Sequence, residues 1–67
     1  MIEVVLTFRW PKGSYEFVNL YDEVAEEFLA LVKLRDDTGD NTELMQYINE
    51  VGSDMNGWQT VDWDEYN

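Results

Sequence analysis

Cysteine and histidine are both absent from the sequence, and each absence removes a class of function. Without cysteine the chain can form neither a disulfide nor a thiolate–metal site, which is compatible with a reducing compartment such as the cytoplasm. Without histidine it lacks the commonest metal ligand and the commonest general base. A chain of 67 residues therefore has to be stabilised by its own packing, and we expect residues 1–67 to form a single acidic domain.

A long hydrophobic segment is also missing. No stretch approaches the roughly 20 apolar residues that a membrane-spanning helix requires. The apolar start from Met1 to Phe8 is interrupted by Glu3, and no basic region precedes it. A secretory signal peptide needs a basic region and a longer apolar run. We therefore expect a cytoplasmic protein that does not bind a membrane.

Basic residues are scarce, since four stand against fifteen acidic ones and give a net charge of −11. The imbalance is uneven along the chain: residues 1–35 carry a net charge of −2, and residues 36–67 carry nine acidic residues and no basic one, or −9. Nucleic acids and membrane surfaces are themselves anionic. Direct binding to either is therefore disfavoured.

The size of the charge can be compared with that of DNA. A compact domain of this length has a radius of gyration of about 11 Å and hence a diameter of about 28 Å. Duplex DNA of that length carries about 16 charges, so a net charge of −11 corresponds to roughly two-thirds of its linear charge density. Because a net charge of about 2–8 is enough for solubility, we expect the excess to serve binding.

Aromatic residues are the second abundant class, with three Trp, four Tyr and three Phe. Each buried ring removes about 150–250 Å² from water, so the rings can stabilise a small core. We expect at least one of Trp58 and Trp63 to lie in that core. A homodimer is another way in which a small core is completed.

The N-terminal third has the pattern of a β-hairpin. Apolar and polar residues alternate over residues 2–9, Pro11 to Ser14 are typical of a turn, and Tyr15 to Val18 form a short returning strand. Asn19 is a candidate N-cap for a helix over Leu20–Leu34.

The rest of the chain predicts a second helix and a last strand. The second helix covers Thr42–Val51 and ends at Gly52 in the left-handed conformation. Trp58–Glu65 has strand spacing, with Val61 and Trp63 on one side and Thr60, Asp62 and Asp64 on the other. The order β-β-α-α-β predicts an α+β domain with an antiparallel or mixed three-stranded sheet.

The stretch from Asp36 to Glu43 is rich in oxygen ligands and superficially similar to a calcium loop. Counted from Asp36, however, Asn41 occupies the position of the required glycine and Tyr47 that of the bidentate glutamate. We interpret the stretch as a loop that caps the second helix. No catalytic sequence motif is present either. We therefore expect no enzyme activity, no cofactor and no metal.

The acidic, aromatic-rich composition, free of cysteine and histidine, resembles that of small bacteriophage proteins that take over the host cell. Within that class it is similar to DNA-mimic inhibitors, which include anti-restriction proteins, uracil-DNA glycosylase inhibitors, inhibitors of nucleoid proteins, and some RNA polymerase and CRISPR inhibitors. The resemblance lies in the composition of the whole chain. It implies a non-enzymatic protein that presents carboxylates at phosphate-like spacing to a basic nucleic-acid channel.

The leading hypothesis is therefore a binding inhibitor that competes with nucleic acid for a basic site on a host protein. Trp63 or Tyr66 would supply an apolar anchor. The candidate contact residues are Asp36, Asp37, Asp40, Glu43, Glu50, Asp54, Asp62, Trp63, Asp64, Glu65 and Tyr66. The alternative is an acidic protein–protein adaptor or a homodimeric structural module, in which the aromatic residues make the contact and the acidic residues keep the protein in solution.

Overall fold

The computed structural model describes residues 1–67, and its five elements follow in the order β-β-α-α-β. They are β1 (Glu3–Arg9), β2 (Tyr15–Tyr21), α1 (Asp22–Thr38), α2 (Thr42–Val51) and β3 (Thr60–Tyr66). The three strands form one antiparallel sheet in the order β2-β1-β3. The predicted α+β class and element order are confirmed.

The central strand β1 supplies the core. Its residues Val4, Leu6 and Phe8 point to one face of the sheet and are fully buried under the two helices. This follows from the period of two in a strand, which places alternate side chains on the same face. The complete buried core is Val4, Leu6, Phe8, Leu20, Ala25, Phe28, Leu44 and Ile48.

The second strand is longer than predicted, and this overturns the proposed start of the first helix. Asn19 is not an N-cap, because β2 continues to Tyr21 and the Asn19 side-chain amide donates a hydrogen bond to Glu3 Oε2 at 2.8 Å. Leu20 is not helical either. It lies opposite Val4 in the sheet and belongs to the core. Cross-strand burial of Leu20 therefore outweighs the local capping signal.

The chain passes from β2 into α1 without a loop. Asp22 has a left-handed φ of 48°, which a non-glycine residue rarely adopts. Its N–H donates to the carbonyl oxygen of Ile2 at 2.9 Å, and its Oδ1 accepts from the N–H of Ile2 at 3.3 Å. The strained residue thus closes the end of the β1–β2 ladder and begins the helix.

The first helix also ends later than predicted, at Thr38 rather than at Leu34. Gly39 provides the left-handed stop with a φ of 76°, and its N–H donates to the carbonyl oxygen of Arg35. In the last turns Lys33 pairs with Asp37 four residues later at 3.2 Å. Asp36 and Asp37 are therefore helical, although the sequence predicts a loop there.

The second helix has the predicted bounds, but Gly52 does not have the predicted left-handed conformation, since its φ is −87°. Glycine occupies position 52 because neighbouring side chains leave no room for a Cβ atom. A Cβ at this position would lie 2.6 Å from Trp58 Nε1 and 3.0 Å from Phe8 Cε2. The close approach of Trp58 to the end of α2 therefore requires a residue without a side chain.

Replacing Gly52 by alanine should destabilise the protein, because the added methyl group overlaps the Trp58 indole. We expect Gly52→Ala to lower the free energy of unfolding by about 1–3 kcal/mol. Urea denaturation followed by circular dichroism measures the change. As a control, Gln46→Ala at an exposed position of α2 should change stability by less than about 0.5 kcal/mol. Equal stability of the Gly52→Ala variant and the wild type would contradict the close contact.

Candidate partner-binding surface

The uncovered face of the sheet carries acidic residues along β3. Asp62 and Asp64 point away from the helices, as predicted, and Tyr66 shares their side of the strand. All three are exposed. Asp62 lies 3.5 Å from Nε of Arg9 on the neighbouring strand, and both side chains are more than half exposed. This ion pair is therefore weak, because water screens it.

The same face carries aromatic residues along β2. Tyr15, Phe17 and Tyr21 are 58%, 56% and 53% exposed, and the rings of Tyr15 and Phe17 lie 5.2 Å apart. With Asp62, Asp64 and Tyr66 they form the open sheet face. In its middle Thr7 is only 4% exposed, since Phe17 and Asp62 flank it on the two neighbouring strands.

Sequence reasoning missed the three rings on β2, although a signal for them exists. From residue 15 to residue 21, aromatic residues occupy three of the four alternate positions, and Val18 and Leu20 lie between them. Leu20 is buried and Val18 packs against the core. Extending the strand to Tyr21 would have placed all three rings on the face opposite the core.

Trp63 lies on the opposite side of β3 and packs against the core. Its ring meets that of Phe28 edge-on at 5.1 Å, and the Arg35 guanidinium lies 5.7 Å from the ring centroid. Trp63 therefore does not share a face with Asp62 and Asp64. Trp58 packs edge-on against Phe8 at 5.0 Å and donates a hydrogen bond to the Gly52 carbonyl oxygen. Both tryptophans are partly buried and pack against the core, although neither belongs to the eight buried residues that form it.

The second acidic cluster lies where α1 turns into α2 and consists of Asp36, Asp37, Asp40 and Glu43. Asp36 accepts a hydrogen bond from the Arg35 guanidinium at 3.0 Å, and Asp37 accepts one from Lys33. Asp40 Oδ1 accepts from both the hydroxyl and the backbone N–H of Thr42, at 2.6 Å and 2.9 Å. Asp40, one residue before the N-cap position, therefore fixes the first residue of α2, and the loop is shorter than we interpreted it to be, since it covers only residues 39–41.

The hydrogen bonds from Thr42 lower the pKa of the Asp40 carboxyl. The hydroxyl of Thr42 contributes most, and its backbone N–H contributes the rest. Both stabilise the ionised form, which accepts them. Within residues 1–67, no group of three or more acidic side chains is placed so that it could hold a metal ion.

The remaining candidate residues lie apart from these clusters. Glu50 lies in the last turn of α2 near Tyr47, and Asp54 lies in the turn after that helix. Partial burial raises the pKa of the Tyr47 hydroxyl, and the charges of Glu27 and Glu50 add to the effect. Each of the two helices therefore contributes one carboxylate whose charge acts on this hydroxyl. Glu65 is exposed on the helix-facing side of β3, opposite Val4.

The charge balance of the folded protein is one-sided. None of the fifteen carboxylates is buried, and only three of them lie in ion pairs, which leaves twelve without a cation. The three ion pairs occupy Arg9, Lys33 and Arg35, so Lys12 in the hairpin turn is the one basic residue outside them. The predicted contact residues do not form one flat patch. They surround the domain on the sheet side, the helix side and both ends of α2.

A shallow cleft of about 440 Å³ lies beside the start of α1, between Met1, Ile2, Glu23, Glu26 and Asn67. It is open to solvent and lined mainly by polar side chains. Neither helix has the length and apolar character that a membrane-spanning segment requires. The surface therefore offers negative charge and exposed aromatic rings as its means of recognition.

Removing the Thr42 hydroxyl should raise the pKa of Asp40 toward its ordinary value. In Thr42→Val the backbone N–H still donates, so we expect part of the lowering to remain. Because the pKa is lowered in the folded state, the ionised carboxylate stabilises the wild type above the unfolded-state pKa, and that contribution is lost as the pH falls. Carbon-detected NMR titration of the Asp40 carboxyl measures the change. An unchanged Asp40 titration would show that the hydroxyl does not contribute.

Comparison of the chain with protein-family models, curated proteins and solved structures finds no match. The surface described above is therefore the basis for the function proposed below.

Proposed function

We propose that the protein is a non-enzymatic, phage-encoded inhibitor that imitates nucleic-acid charge and occludes a basic nucleic-acid-binding site on a host protein. Suitable targets are a nucleoid protein, RNA polymerase, a restriction or CRISPR effector, or a DNA-repair enzyme. The observation that carries the proposal is the set of twelve carboxylates without an ion-pair partner. A partner that supplies many cations would neutralise them.

The dimensions of the fold support the comparison with DNA. The longest axis of the domain is 32 Å. Duplex DNA of that length carries about 19 charges, so a net charge of −11 corresponds to somewhat more than half of that density. The value is lower than the two-thirds expected from the sequence because the domain is flattened rather than spherical, which lengthens its longest axis. It still exceeds what solubility requires.

The distribution of the carboxylates favours a concave binding site on the partner. Asp62 and Asp64 lie on the open sheet face, whereas Asp36, Asp40 and Glu43 lie beside the helices on the other side. A flat basic surface would neutralise only one of these sides. A channel that normally encloses a nucleic acid can contact both, and its positive potential would also attract the domain over a distance.

The adaptor hypothesis is supported by a different observation. Tyr15, Phe17, Tyr21 and Tyr66 are each more than half exposed on the open sheet face. Exposed rings of this kind are frequent anchors in protein interfaces. Phe17→Ala separates the hypotheses, because it leaves all carboxylates in place. Loss of partner binding in this variant would favour the adaptor.

The proposed inhibitor should displace DNA from its target in a salt-dependent manner. Fluorescence anisotropy of a labelled duplex bound to a purified nucleoid protein or RNA polymerase measures the displacement. We expect the affinity of the inhibitor to fall at least about tenfold between roughly 50 and 200 mM salt, because released counterions drive the association. An affinity that does not change with salt would contradict charge mimicry.

Matched charge variants test which carboxylates contribute. Asp62→Asn with Asp64→Asn removes two charges from the open sheet face, and Glu23→Gln with Glu27→Gln removes two from α1 outside the candidate residues. We expect the first pair to weaken displacement several-fold more than the second, because short-range contacts add to the general attraction. Equal effects of the two pairs would show that only the net charge matters.

A further inference from the structure

The two edges of the sheet differ in charge. Residues 60–66 of β3 include Asp62, Asp64 and Glu65, whereas residues 15–21 of β2 include only Glu16 as a charged residue. Charged residues and proline on an edge strand prevent pairing with another chain, and β2 also lacks proline and lysine. Only β1 pairs with β2, so the outer edge of β2 is unpaired over seven residues.

The hydrogen-bond pattern identifies which backbone groups of β2 are free. The N–H of Trp10 donates to the carbonyl oxygen of Ser14, and the N–H of Asp22 donates to that of Ile2. Bonded and non-bonded pairs alternate in an antiparallel ladder. The even-numbered residues of β2 therefore bond to β1, and the N–H and C=O groups that point outward belong to Tyr15, Phe17, Asn19 and Tyr21.

The hairpin formed by β1 and β2 carries no net charge. Residues 1–21 contain Glu3 and Glu16 against Arg9 and Lys12, so the whole net charge of −11 belongs to residues 22–67. Of the two sheet edges, β2 is therefore the one that another copy can approach with less repulsion from the strand itself. A basic partner would instead be drawn to the β3 side.

We propose that two copies of the chain pair through antiparallel β2 edges and form a continuous six-stranded sheet. The pairing centres on Val18, so that Tyr15 lies opposite Tyr21 and Phe17 opposite Asn19 of the second copy. This register uses all four outward-pointing residues and forms up to about eight backbone hydrogen bonds. It also places Glu16 opposite Leu20, so that no like charges face each other.

The geometry of the strand accommodates a second copy as the occupant. In the register centred on Val18 every outward-pointing residue meets another outward-pointing residue, as a two-fold symmetric pair requires. The open sheet faces of the two copies then join, with Tyr15, Phe17 and Tyr21 of each copy at the centre. Aromatic residues directly opposite each other add to the stability of a sheet.

Repulsion between the acidic edges does not oppose this arrangement strongly. The two β3 strands would lie at the outer edges of the joined sheet, five strand spacings or about 24 Å apart. That distance is roughly three times the Debye length of about 8 Å at physiological ionic strength. Each copy still carries a net charge of −11, and added salt screens the general repulsion that remains, so salt should strengthen self-association, whereas it should weaken binding to a basic partner. The two proposals are distinguishable because their salt dependences have opposite signs.

Sedimentation and amide hydrogen exchange of the wild-type protein test the pairing. We expect the mass to rise from monomer to dimer between about 10 µM and 1 mM protein, as for a small interface, and to rise further with added sodium chloride. Over the same range the amides of Tyr15, Phe17, Asn19 and Tyr21 should become protected from exchange. The outward-pointing amides of Val61, Trp63 and Glu65 on β3 are the internal control and should remain unprotected.

Two substitutions at one position separate backbone pairing from ring contact. Phe17→Pro removes an outward-pointing N–H without removing a bond to β1, and proline is tolerated at sheet edges. We expect it to weaken dimerisation at least about tenfold. Phe17→Ala loses the ring but keeps the N–H, and should have a smaller effect. Circular dichroism of both variants establishes that they remain folded, and the exchange data on the wild type do not depend on them.

Several results would overturn the proposal. The first is that the protein stays monomeric at all protein and salt concentrations. This includes the case in which the β2 amides become protected from exchange only when a different protein is added. The second is a dimer that protects the β3 amides or leaves those of β2 unprotected. The third is an equal loss of dimerisation in Phe17→Ala and Phe17→Pro, which would assign the contact to the rings of the open sheet face.

Discussion

Burial of one face of β1 under two short helices is the interaction on which the fold depends. Val4, Leu6 and Phe8 are fully buried, and neighbouring strands and both helices pack around them. The whole core contains eight residues. So small a core has to hold together a surface with a net charge of −11, whose mutual repulsion opposes folding.

The central position of β1 also separates two kinds of surface. The hairpin strand β2 lies on one side of it, with a single charged residue and three exposed rings, and β3 lies on the other side with an acidic edge. Self-association and recognition of a basic partner therefore use different edges in the functions proposed above. A dimer would double the number of carboxylates that are offered to the partner without covering Asp62 or Asp64.

Patterns with a period of two or about 3.6 residues predicted the element order, the bounds of α2 and the two faces of β3. They failed where a contact between distant residues decides the structure. Asn19 resembles a cap, but pairing of Leu20 with Val4 keeps it in the strand. Gly52 resembles a left-handed stop, but the approach of Trp58 explains it. The acidic charge was read from composition, whereas its distribution around the domain required the fold.

The proposed function implies that the surface charge opposes folding and is retained for binding. Urea unfolding at low micromolar protein concentration, where the chain is monomeric, tests it when repeated from about 0.02 to 0.5 M sodium chloride. Urea is suitable because it adds no ions. If the twelve unpaired carboxylates repel one another, the free energy of unfolding rises steadily as salt screens them. A free energy that falls or stays constant with salt would contradict the account.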